Sequence, residues 1–60
     1  MSYTTSDDII ESTIAALFDW DNPLTQQSAE NTLDRWLQQG GLTSQQIESV
    51  EAALDKYRNR

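Results

Sequence analysis

The 60-residue chain has no cysteine and no histidine, one proline and two glycines, and only four bases against ten acids. Each shortage excludes something. Without cysteine there is no disulfide, zinc-thiolate site or thiol nucleophile, and the redox compartment stays open. Without histidine there is no imidazole ligand and no side chain that ordinarily titrates near neutrality. The glycines are the adjacent pair Gly40–Gly41, so no glycine-rich phosphate loop can form. No apolar run approaches the roughly 18 residues of a membrane-spanning helix. The opening MSYTTSDD lacks the basic start and apolar core of a secretory leader, which makes the cytoplasm the default location.

The net charge of −6 is unevenly spread. All ten acids fall in residues 1–55, where Arg35 is the only base, and that stretch sums to −9. Lys56, Arg58 and Arg60 return +3 at the end. An acidic body repels phosphate, so direct nucleic-acid binding is not expected, and three terminal bases are too few for a polybasic membrane anchor.

What is present is helical periodicity throughout. Thr5 or Ser6 can cap a first helix, with Asp7 and Asp8 at its positive dipole end. Ile10, Ile14, Leu17 and Phe18 recur at helical spacing, and the run stops at Asp21-Asn22-Pro23, where Pro23 suits the first turn of a new helix. The second helix carries a stripe of Ala29, Leu33, Trp36 and Leu37, and Gly40 can close it. Thr43 and Gln46 have capping-box spacing, flanked by Leu42 and Ile47 as a hydrophobic staple. The third stripe is Ile47, Val50, Leu54 and Tyr57, with Lys56 and Arg58 in a last turn that favours cations. The expected fold is all-α, a compact antiparallel three-helix bundle with helices at about 7–20, 24–39 and 44–58. It forms one domain over residues 1–60, with residues 1–5 and 59–60 mobile. Trp36 is expected in the core and Tyr57 half-buried. Tyr3 lies ahead of the first cap, either mobile or folded back onto the bundle.

Two similarities accompany this pattern. Ile10, Glu11, Ser12, Ala15, Ala16 and Leu17 recur 37 residues later as Ile47, Glu48, Ser49, Ala52, Ala53 and Leu54, with Trp20 matched by Tyr57. This is either a partial helical repeat or two amphipathic helices reusing common helix formers. From Leu17 to Leu37, an aromatic after leucine, a proline joint and then Ala29-Glu30-Asn31-Thr32-Leu33 resemble the first helical hairpin of importin-type HEAT proteins. That resemblance covers about a third of the chain and implies a hairpin, with no function attached.

At roughly 100° per residue, the apolar arc of helix two spans roughly 100° and that of helix three roughly 120°. In helix one, Ile9, Ala16 and Trp20 widen the arc to roughly 200°, more than a three-helix bundle readily covers. Either helix one is wedged deeply, or this edge faces outward. Trp20 has a further option, folding over the end of its own helix. An outward edge makes Ile9, Ala16 and Trp20 a candidate protein contact, with Asp19 and Asp21 as a charged rim. The acids Glu48, Glu51 and Asp55, like Asp7 and Glu11, read as solvated faces rather than as catalytic or metal groups.

No catalytic residue, metal ligand or cofactor site is expected, and an enzyme is not. The leading functional expectation is a small acidic protein-binding module: a regulator, adaptor or inhibitor. Self-association through the wide face of helix one is the first alternative. An acidic nucleic-acid mimic is the second, with Asp7, Asp8, Glu11, Asp19 and Asp21 in one row and Glu48, Glu51 and Asp55 in another. A helix-turn-helix DNA reader is disfavoured, because helix two offers only Arg35, Asn31, Gln38 and Gln39 amid acids.

Overall fold

A computed structural model describes residues 5–59 as three α-helices: α1 (Asp7–Leu17), α2 (Pro23–Gln39) and α3 (Ser44–Arg58). The expectation of mobile ends falls largely on residues 1–4 and 60, outside the described residues, as does the reading of Tyr3. All three helices contact one another, and the chain is an all-α bundle.

The caps form where the side chains permit them. The Ser6 hydroxyl accepts the Ile9 amide at 3.3 Å. Thr43 and Gln46 complete a capping box, with the Gln46 amide donating to the Thr43 hydroxyl at 3.1 Å and the Thr43 amide donating to Gln46 Oε1 at 3.0 Å. Pro23 opens α2, and Asn22 before it makes no side-chain cap. Its amide group instead donates to Asp19 Oδ2 at 2.8 Å, bracing the joint. Gly40 closes α2 with φ 82° and ψ −165°. The positive φ matches expectation, but the extended ψ is not left-handed helix; it belongs to a region essentially confined to glycine.

The core is Ile10 and Leu17 from α1, Ala29 and Leu33 from α2, and Val50, Ala53 and Leu54 from α3. Each set repeats at three-, four- or seven-residue spacing, which places it on one helix face. Ile14, Trp36, Leu37 and Tyr57 pack around this core and are partly exposed. Trp36 therefore sits at the margin of the core rather than inside it.

Helix α1 is shorter than the periodicity suggested, ending at Leu17 and not Trp20. The Asp19 amide donates to the Ala16 carbonyl at 3.2 Å, a tightened final turn. The buried Gln26 side chain donates to the Leu17 carbonyl at 3.0 Å, satisfying an acceptor that the ended helix leaves open. The joint also gains from ring packing. Trp20 stacks on Tyr57 with centroids 5.8 Å apart and planes 21° apart, and Phe18 meets both rings edge-on. Beyond Leu17, tertiary contacts direct the chain more strongly than helix periodicity does.

At the opposite end of the bundle, Gln46 Nε2 donates to the Thr5 carbonyl and to Asp7 Oδ1, both at 2.8 Å. The N-termini of α1 and α3 are thus joined, and their C-terminal ends meet through Phe18, Trp20 and Tyr57. Helices α1 and α3 run parallel, with α2 antiparallel to both.

Candidate interaction surface

Ile9 and Trp20 are each 52% exposed, whereas Ala16 is half-buried against the core. Asp19 is half-buried and takes up the Asn22 amide, and Asp21 is exposed. These five residues do not make one surface. Ile9 and Ala16 lie seven apart on α1 and so share one helix face, and Ala16 borders α2. Trp20 lies beyond the helix, so wheel arithmetic does not apply to it. Its ring belongs to the aromatic cluster at the end of the bundle, beside Tyr57 of α3. Trp20 therefore packs against the bundle on one side while about half its surface faces outward, combining two readings that the sequence kept apart.

Ala16 opens onto a shallow groove of about 450 Å³ between α1 and α2. Ser12 and Thr13 line it from α1, and Leu24, Ser28 and Thr32 from α2; no lining residue is charged. Thr13 and Thr32 turn their hydroxyls onto carbonyls one turn back, Ile9 at 2.8 Å and Ser28 at 2.9 Å. Leu24 at one end of the groove is 83% exposed, the most exposed of the large apolar residues described. It sits in the first turn of α2, off the Ala29–Leu33–Trp36 stripe, so helical periodicity gives it no signature. The usable signal was its position: a leucine directly after the helix-opening proline, seven residues after the buried Leu17.

Charge is organised away from this groove. Arg58 donates from Nε to Glu30 Oε2 and from Nη2 to Asp34 Oδ2, both at 2.8 Å, tying the last turn of α3 to α2. The hydrogen bond to Glu30 is the main cause holding the guanidinium pKa above its usual value, so Arg58 stays charged through any physiological pH. Lys56 lies 5.9 Å from the Phe18 ring centroid, within cation–π range. Both bases thus have contacts within the bundle besides their placement at a helix terminus.

Among the acids proposed as phosphate-like rows, Asp7 is held by Gln46, Asp19 by Asn22 and Asp55 by Asn59. Asp7 and Glu11 line a separate polar recess beside Thr43 and Gln46. Among the described residues no group of three or more acids is placed to hold a metal ion, and no helix is long and apolar enough to cross a membrane. Compared with protein-family models, curated proteins and solved structures, the chain matches none of them.

Proposed function

We propose that the chain is a cytoplasmic protein-binding module, not an enzyme, and that it acts through the α1/α2 face. The observation that carries this reading is Leu24, 83% exposed at the edge of an uncharged groove that Ala16 also lines. Ile9, at 52% exposure, extends the apolar surface along α1. In a chain with 23% charged residues, a groove lined without charge and bordered by exposed aliphatics suits an apolar helical partner. Composition supports the non-enzymatic side, since the sequence offers neither imidazole nor thiol.

The sequence-based contact set is thereby redistributed. Ile9 and Ala16 stay on the binding face, Leu24 joins them, and Trp20 with Asp19 and Asp21 marks the joint at one end. Affinity capture with wild type, Leu24→Arg and Trp20→Ala tests the assignment. Stoichiometric capture lost with Leu24→Arg and kept with Trp20→Ala is the expected result. Loss with Trp20→Ala alone would move the binding face to the aromatic end of the bundle.

A further inference from the structure

We infer that the groove between α2 and α3 receives an arginine side chain from a basic segment of a partner protein. Leu37 lines this groove from α2, and Glu51, Leu54, Asp55, Arg58 and Asn59 line it from α3. Ser28 and Leu37 are nine residues apart, which turns roughly 180° around α2. The groove is therefore on the other side of α2 from the one beside Leu24, and it stands independently of the binding role proposed for that face.

Size and layering make the first selection. The volume is about 310 Å³. That is the low end for ligand clefts, too small for a docked helix and sufficient for one long side chain. Leu54 is buried and Leu37 half-buried, whereas Glu51 and Asp55 are exposed. The groove is apolar at depth and acidic at its rim. A side chain with an aliphatic stem and a cationic head matches both parts.

Charge makes the second selection. Arg58 is the only base in the lining, and its Nε and Nη2 are directed to Glu30 and Asp34 of α2. Those two acids already outnumber it, so its charge does not offset Glu51 and Asp55. Asn59 donates to Asp55 Oδ1 at 2.8 Å, which orients that carboxylate without neutralising it. Glu51 and Asp55 lie one helical turn apart, roughly 6 Å along α3. Like charges at that spacing repel, and a cation between them relieves the repulsion. A guanidinium suits the pair better than an ammonium does. It is planar, offers five donors that can reach two carboxylates at once, and gives up water more readily. The net charge of −6 draws a basic segment toward the chain before contact.

The test is a titration of the full isotope-labelled chain, followed by amide NMR, with a blocked five-residue peptide carrying one arginine among alanines. Saturable millimolar binding is expected, with the shifts centred on Leu37, Glu51, Leu54 and Asp55. Lysine in place of the peptide's arginine should weaken it about 2–5-fold, as should Glu51→Gln or Asp55→Asn in the chain. Asp8→Asn, an equal charge change in the first turn of α1, should leave it as it was. Amides in the groove that show no saturable shift overturn the inference, as does a lysine peptide of equal affinity. Equal weakening by Asp8→Asn and Glu51→Gln also overturns it, because attraction to net charge alone would explain that result. Shifts centred on Leu24 and Ser28 would do the same by moving the peptide to the other groove. Leu24→Arg should retain this binding, so the two sites fail separately.

Discussion

Gln26 and Gln46 are buried polar side chains in a core that is otherwise aliphatic, and each is placed at a helix end. Burying an amide group is unfavourable unless its hydrogen bonds are replaced. Gln26 replaces one by donating to the last carbonyl of α1, and Gln46 replaces three, one to Asp7 at the start of α1 and one to Thr5 just before its cap. Truncating Gln46 removes the reciprocal half of the capping box and leaves the Thr43 amide, the Thr5 carbonyl and Asp7 without these bonds. We expect Gln46→Ala to destabilise the bundle by about 1–3 kcal/mol. The exposed neighbour Gln45→Ala should stay within about 0.5 kcal/mol of wild type. Urea unfolding followed by far-UV dichroism separates the two. Equal effects would mean that the loss reflects helix propensity and not the cross-helix bonds. The capping role of Gln46 was legible in its three-residue spacing from Thr43. Its bond to Thr5, 41 residues away, was not, because no local pattern encodes a contact between two helix ends.

At the scale of the elements, caps and stripes show how far periodicity reaches. Thr43 and Pro23 located the starts of α3 and α2, because each satisfies or removes an orphan amide in a way that depends on neighbours alone. The end of α1 was misjudged by three residues, because Phe18 and Trp20 continue the apolar pattern while the backbone has already turned toward Tyr57 and Gln26. The exposure of Leu24 is hidden for the converse reason: the sequence shows an apolar residue in a first turn but not whether another helix covers it. Most of the inner stripe was readable, with Trp36 and Ile47 the residues it placed too deep, and its buried members carry the stability. Leu33 and Leu54, from different helices, are both buried in the shared core. Leu33→Ala and Leu54→Ala should each destabilise by about 2–5 kcal/mol, enough to unfold much of a domain this small. Their melting curves, compared with that of Leu24→Ala, read the difference directly. Leu24 is exposed, so its truncation should shift the midpoint little; a large shift there would place it in the core and remove it from the binding face.

For the whole molecule, stability and charge are linked through the arrangement of α3. Among the described residues the ion pairs are those of Arg58, which gathers half-buried Glu30 and Asp34 into one cluster. Because the Arg58 pKa is raised on folding, the guanidinium's side of this contribution is complete below the usual guanidinium value and is lost as pH rises through the raised one. Near neutral pH, salt is therefore the variable that exposes it. Two opposing effects respond as ionic strength rises from about 0.01 M to 0.15 M and the screening length falls from about 30 Å to 8 Å. Repulsion among ten acids weakens, which favours the fold, and the Arg58 cluster weakens, which opposes it. Repulsion has more members, so the wild-type melting temperature, measured at low micromolar chain concentration, should rise with salt. Arg58→Ala lacks the cluster and adds one unit of net negative charge. It should melt below wild type in low salt and climb more steeply, so that the gap narrows toward physiological ionic strength. A gap independent of salt would show that Arg58 stabilises α3 through its aliphatic stem against α2 rather than through its charge.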